Sequence, residues 1–273
     1  MVMKKNVLLI LVSLLTLYSC EKDKCPEDEE RPNIINLKDG LLAYYPFSGD
    51  AGDSSGNNNH GIIVGGIVFT TDKNGKSNAA AEFDGVDDYI IANETGNLSP
   101  ANITISAYYN TSSTEIQNLL CKRQQYNTST PETYGGLSWS VNARSGVYSG
   151  FNNAQFGVPV NTGSSNAPEG INPDDLVYSL QTINPSQWYH IVCIFENGSQ
   201  RMYINGKIRE ATVRNFNSLK QCPGRKLVIG AFVEDFPAFF KGKMDEIRIY
   251  GRALMKRKLR NSRNNLGQII KGI

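Results

Sequence analysis

Short runs rich in Val, Ile, Tyr and Phe alternate with clusters of Gly, Asn, Asp and Ser along most of this chain. The runs Leu41–Phe47, Ala80–Phe83, Tyr89–Ala92, Ile103–Asn110, Asn118–Arg123, Leu137–Asn142, Trp188–Glu196, Arg201–Ile204, Ile208–Thr212, Lys226–Ala231 and Gly242–Tyr250 predict strands. Their spacing and turn chemistry favour an all-β sandwich over βαβ units. Two Asn-Gly pairs, Asn197-Gly198 and Asn205-Gly206, lie between consecutive runs. Both residue types tolerate positive φ, so Trp188–Glu196, Arg201–Ile204 and Ile208–Thr212 are expected to form an antiparallel meander. The segment Gln124–Ser186 breaks the pattern, with one predicted strand at Leu137–Asn142 inside long polar sequence. Such an excursion is usually functional or disordered, and its aromatics Tyr126, Tyr134, Tyr148, Phe151, Phe156 and Tyr178 argue for function. Met255–Asn265, rich in Lys and Arg, is the one helix candidate and reads as a short solvated C-terminal helix.

Four phrases carry a family resemblance: Tyr44–Gly61 (YYPFSGDAGDSSGNNNHG), Phe83–Tyr89 (FDGVDDY), Trp188–Lys207 (WYHIVCIFENGSQRMYINGK) and Gly242–Leu254 (GKMDEIRIYGRAL). In this order they resemble the laminin-G-like branch of the concanavalin A-like lectins and glucanases. The resemblance implies a jelly-roll sandwich of two antiparallel sheets. It also implies core roles for Phe83, Tyr89 and Trp188, with His190 as a hydrogen-bonded structural residue.

The N-terminus reads differently. Lys4 and Lys5 precede an apolar stretch, Val7–Tyr18, followed by Ser19 and Cys20. This is an export signal, too short to span a bilayer comfortably. Leu17–Cys20 resembles a bacterial lipoprotein cleavage box, which implies lipidation of Cys20. Glu21–Pro32 is acidic, proline-punctuated and poor in apolar side chains, the composition of a flexible tether. An acidic stretch after a lipidated cysteine resembles the surface-export tag of Bacteroidetes-type lipoproteins. The expected organisation is therefore a signal peptide over 1–19, a tether over 20–38 and a single domain over 39–273 with a basic tail. The implied location is the outer membrane, facing the cell surface.

Without residues 1–19 the chain carries 26 basic and 26 acidic residues, and nothing suggests a nucleic-acid partner. Cys25, Cys121, Cys193 and Cys222 allow three pairings in an exported protein. Cys121 and Cys193 sit in apolar runs, where free cysteine packs as a small hydrophobe.

The glucanases of this fold use a Glu-x-Asp-x-x-Glu-like strand whose alternation sets two carboxylates on one face. No strand run carries the full phrase. Asp245 and Glu246 are neighbours in a strand and are expected on opposite faces. A structural calcium is the better prospect, since Asp50, Asp53, Asn57, Asn58 and Asn59 crowd one loop with hard oxygen donors. By resemblance, Asp53, Asn58 and Asp245 are the expected ligands, with His60 the weakest candidate. The same Asx-rich loop is also what a self-capping turn requires. Asp84, Asp87 and Asp88 are expected to cap backbone donors at their turn.

Sugar rings present apolar C–H faces ringed by hydroxyls, so Tyr126, Tyr134, Tyr148 and Phe156 are the expected ligand contacts. The function expected is non-catalytic glycan or polysaccharide binding on a membrane-anchored, surface-displayed protein. A protein-interaction or scaffold module, with a surface protein as partner, is the alternative. A glycoside hydrolase or lyase with unrecognised catalytic residues is the third reading.

Overall fold

Alternation along Ile103–Thr111 sets the plan of the molecule: Ile103, Ile105, Ala107 and Tyr109 enter the main core, while Thr104, Ser106 and Tyr108 lie on the opposite face. The computed structural model describes residues 36–92, 98, 100–113, 115, 117–123, 137–145, 153–157, 176–214, 217–219, 226–232 and 238–254.

The strands are β1 (Leu41–Tyr45), β2 (Gly61–Val64), β3 (Val68–Thr70), β4 (Ala80–Asp84), β5 (Tyr89–Ala92), β6 (Ile103–Thr111), β7 (Gln117–Arg123), β8 (Leu137–Ser145) and β9 (Asn153–Gly157). They continue as β10 (Leu176–Thr182), β11 (Trp188–Glu196), β12 (Ser199–Ile204), β13 (Lys207–Val213), β14 (Lys226–Ile229), β15 (Ala231–Phe232), β16 (Ala238–Phe239) and β17 (Lys241–Tyr250). One sheet has the order β13-β12-β11-β6-β17-β4-β3, with β1 also paired to β17. A second runs β10-β9-β8-β7-β14-β5-β2, and β15 and β16 form a small ladder. All described pairings are antiparallel. This is the expected jelly-roll sandwich. The expected C-terminal helix lies outside the described residues.

The meander forms as its turns require. Asn197 and Gly198 have φ of 46° and 82°, Asn205 and Gly206 have 50° and 75°, and each pair closes a two-residue hairpin. Asn205 also ties its turn to β11, accepting from His190 N at 2.9 Å through Oδ1 and donating its own N–H to His190 O at 2.8 Å.

Inner faces of both sheets share a core that includes Tyr45, Phe47, Phe83, Tyr109, Phe195 and Phe240. Two smaller clusters cover the outer faces. Val192, Ile194, Tyr250 and Leu254 pack with Leu37, Leu41 and Tyr203 over one end of the eight-stranded sheet. Cys121, Val228 and Ala231 pack with Tyr89, Phe232 and Phe239 on the seven-stranded sheet. Tyr89 is thus a half-buried member of an outer cluster, where the sequence suggested a main-core anchor. Cys121 and Cys193 are buried in different clusters, and the Cys121 thiol donates to Ala231 O at 3.6 Å.

Several elements escaped the sequence pattern. Among the described residues of Gln124–Ser186 there are three strands rather than one, because β9 and β10 extend the sheet from β8 despite their mixed composition. β2 and β3 are short edge strands joined across Gly65 and Gly66, too brief to show a period.

Candidate functional site on the eight-stranded sheet

The Asx-rich loop after β1 is organised by Asp53. Its Oδ1 accepts from Tyr44 N at 2.9 Å and Ser55 N at 2.8 Å. Its Oδ2 accepts from Ser55 Oγ at 2.8 Å and Asn59 N at 2.9 Å. A carboxylate offers about four lone-pair directions; three here receive backbone N–H groups, and the fourth faces the Ser55 hydroxyl, which also lies 3.1 Å from Leu42 O. Asp53 N donates to His60 Nδ1 at 3.1 Å, so that nitrogen's lone pair is also engaged. Asn57 and Asn59 donate to the backbone oxygen of Leu42 at 3.0 and 2.9 Å. Asn58 is exposed with a φ of 59°, a turn conformation. These groups do not fit a calcium ion, because the lone pairs it needs already receive protein donors. The phrase DSSGNNNHG builds a self-capped loop.

Asp245 stands apart from that loop. It lies opposite Tyr108 across the β17–β6 ladder, and Tyr108 lies opposite His190 across β6–β11. The three make one row on the outer face. Tyr108 stacks on His190 with centroids 4.2 Å apart and planes 8° apart. Lys73, from the β3–β4 turn, holds its Nζ 4.1 Å above the Tyr108 ring and 3.6 Å from Asp245 Oδ2. Asp245 is only 2% exposed, and its Oδ2 has no hydrogen-bond donor. Burial pushes its carboxyl up to about 6, outweighing the downward pull of Lys73. Burial, then Lys73 and Arg248, hold the His190 imidazole down at about 4, while its Nε2 sits 2.9 Å from Ser106 Oγ.

Glu246 overturns the alternation expected here. Between Asp245 and Arg248 the register of β17 against β6 gains one residue, and Glu246 takes a φ of 53°. This bulge turns Glu246 outward, where it accepts from Tyr44 Oη at 2.9 Å and pairs with Arg248. Asp245 and Glu246 therefore share a face. Arg248 also lies 4.2 Å over the Tyr44 ring, so Tyr44 and Tyr108 each carry a cation of the chain itself over one ring face.

A second row on the same face is more open. Trp188, Asn110, Lys243 and Glu82 are direct neighbours across β11, β6, β17 and β4, and all are partly exposed. Trp188 alternates with core Tyr189, so it faces outward rather than into the core. Lys243 pairs with Glu82 at 3.9 Å. Glu82 and Asp84 share this face of β4, the nearest approach to a glucanase-type phrase in the described strands. However, Asp84 Oδ1 accepts from Val86 N at 2.7 Å and closes the Gly85 turn. Asp88, which is buried, accepts from Asp84 N at 2.9 Å and from Gly66 N. The carboxylate oxygens of Asp84, Asp87 and Asp88 come within 4.8 Å of one another, and Asp84 and Asp88 serve as turn caps.

Of the residues expected at a site, Cys20, Tyr126, Tyr134 and Tyr148 lie outside the described residues. Phe156 is placed by its backbone in β9, opposite Val141 and Val177. Tyr44, Lys73, Tyr108, Trp188, Glu246 and Arg248 were not anticipated. Alternation in β6, β11 and β17 could have flagged Tyr108, Trp188 and Arg248 as the non-core face, but the bulge places Glu246 and nothing local marks Lys73.

A profile of the concanavalin A-like lectin/glucanases superfamily, Laminin_G_3, matches residues 84–259, well over half of the chain. The chain belongs to this family. Among curated proteins, no sequence matches this laminin-G-like chain. Solved structures with the same fold include domain 4 of AbnA, a GH43 extracellular arabinanase from Geobacillus stearothermophilus, in complex with arabinotriose. It shares 22% identity at a TM-score of 0.54, over 79% of this chain and 94% of that domain. The binding domain of botulinum neurotoxin DC in complex with SialylT shares 12% identity at a TM-score of 0.53, over 80% of this chain and 49% of that one. The binding domain of Paraclostridial Mosquitocidal Protein 1 shares 17% identity at 0.55, over 80% and 50%. This laminin-G-like chain thus spans about half of each toxin binding domain.

Proposed function

We propose that this protein is a non-catalytic carbohydrate-recognition module, carried on the cell surface by a lipid on Cys20. The observation that carries the reading is the row Trp188, Asn110, Lys243 and Glu82, an indole flanked by hydrogen-bonding side chains on an open sheet face. An indole offers an apolar face for sugar C–H groups, and the neighbours offer donors and acceptors for hydroxyls. The fold correspondence with an arabinotriose-bound domain supports it. So does the engagement of many described carboxylates: Asp53, Asp72, Asp84 and Asp88 cap backbone N–H groups, while Glu82, Glu196, Glu246 and Asp245 pair with Lys243, Arg201, Arg248 and Lys73.

Tyr126, Tyr134, Tyr148 and Phe156 are a second proposed group of contacts. The connection carrying Tyr126 and Tyr134 is rooted at Arg123 and Leu137, and the one carrying Tyr148 at Ser145 and Asn153. These roots are opposite ends of β8.

Affinity electrophoresis through a panel of polysaccharides tests the reading. The wild type is retarded by at least one polysaccharide without releasing reducing ends, and Trp188→Ala weakens the retardation about tenfold, or 1.4 kcal/mol. Retardation lost only on changing the four loop and β9 aromatics moves the site to the seven-stranded sheet. Release of reducing ends makes the protein an enzyme. Migration unaffected by every polysaccharide sinks the proposal. Cys20→Ala is expected to free the protein from membranes.

A further inference from the structure

The family resemblance called for a cation between the loop after β1 and the last strand. At Asp53 the carboxylate oxygens already face protein donors, and at Asp245 a cation is already present. We infer that the Lys73 ammonium is the built-in counter-ion of Asp245 and replaces a divalent metal there.

Three observations support this. First, the ammonium is delivered by a rigid turn. Asp72 Oδ1 accepts from Asn74 N and Lys76 N, both at 2.8 Å, and Asp72 N donates to Lys76 O at 3.0 Å. Gly75 completes the turn with a φ of 87°, and Ala79 N closes it on Thr70 O at 2.9 Å. Second, the ammonium is seated between an anion and a ring, 3.6 Å from Asp245 Oδ2 and 4.1 Å above Tyr108, whose other face is backed by His190. A cation over a ring in a partly dry site is favourable in itself. Third, the surroundings suit an ammonium better than calcium. Calcium takes six to eight oxygens, whereas Asp245 faces the Tyr108 ring backed by His190 and the Lys73 ammonium. The nearby carboxylates are already engaged, Glu246 by Arg248 and Tyr44 and Asp72 by the N–H groups of its own turn. Without Lys73 the Asp245 carboxylate would be buried with no counter-charge and no donor to its Oδ2, which is costly. The pair also locks the β3–β4 turn onto β17, 172 positions further along the chain.

Melting temperatures with chelator and with excess calcium, for wild type, Lys73→Met and Asp245→Asn, decide the matter. Met keeps most of the lysine stem over Tyr108 and removes only the charge. The wild type is expected to melt at the same temperature in both conditions. Lys73→Met should melt about 3–6 °C lower in chelator. Adding Asp245→Asn to Lys73→Met should recover most of that loss, because the buried charge is then gone. A wild-type melting temperature that falls on chelation, with the response abolished in Asp245→Asn, overturns the inference. So does a Lys73→Met protein as stable as the wild type, and this arm holds even where Asp245→Asn fails to fold.

Discussion

The Tyr44 hydroxyl donates to Glu246 Oε1 at 2.9 Å, joining residues 202 positions apart in the chain. It closes the first strand onto the bulge in the last, and the Arg248 guanidinium lies over the same ring. Burial raises the Tyr44 phenol to about 12; Arg248 opposes that shift and Glu246 adds to it. The phenol therefore stays a donor at all ordinary pH values. Tyr44→Phe removes the bond but leaves ring and cation in contact. A loss of about 1 kcal/mol is expected in urea unfolding, discounted for partial exposure. Unchanged stability would mean that Arg248 alone holds Glu246.

Asp53 presents the larger case. Asp53→Ala leaves the N–H groups of Tyr44, Ser55 and Asn59 without their acceptor, in a position only 7% exposed. At 1–3 kcal/mol for each stranded buried donor, partly relieved by water, the expected cost is about 3–5 kcal/mol. Asp53→Asn, which keeps one acceptor oxygen, should cost less. Equal midpoints for the two variants would contradict the saturated-carboxylate account.

Gly242 is the tightest backbone approach in the last strand. Its φ is 142°, and a Cβ there would sit 2.1 Å from the Asn110 carbonyl oxygen. Gly242→Ala combines backbone strain with overpacking against β6, and a loss of about 3 kcal/mol or more is expected. Gly75→Ala carries only the backbone term, because nothing lies within 4 Å of its Cβ position. The comparison by thermal unfolding separates the two effects.

His190 and Asp245 predict opposing pH dependences. The His190 value in the folded protein lies below its ordinary 6.5, at about 4. Its contribution is therefore complete above pH 6.5 and lost as pH falls toward 4, on the order of 3 kcal/mol. Asp245 has a folded value raised to about 6, so its contribution is complete below its unfolded value near 4 and lost as pH rises through 6. Between pH 4 and 6 the two partly cancel. His190→Gln removes the first and keeps a side chain able to reach Ser106. In urea titrations from pH 7 to 4, its stability should rise as Asp245 protonates, while the wild type, in which the two terms oppose, changes much less. Parallel curves would show that His190 does not titrate on unfolding.

What the sequence determined by itself was local. Period-two alternation located β6, β11 and β17 and their inward faces, since side-chain direction follows from chain geometry alone. Two Asn-Gly pairs located the hairpins, because positive φ is a property of those residues. The self-capping of Asp84 was legible for the same reason.

The tertiary structure alone decided what depends on a partner strand. A bulge is an excess of one residue against a neighbour, so no reading of MDEIRIY could show Glu246 turning to the side of Asp245. Trp188 faces outward because the register of β11 sets Tyr189 into the core, which overrode its family position. Lys73 is an unremarkable turn lysine until folding brings Asp245 and Tyr108 beneath it. The Asx-rich loop looked like a metal cradle because oxygen-rich composition is common to cradles and capped turns. Only the direction of each lone pair distinguishes them, and that is fixed by where the backbone N–H groups of Tyr44, Ser55 and Asn59 come to lie.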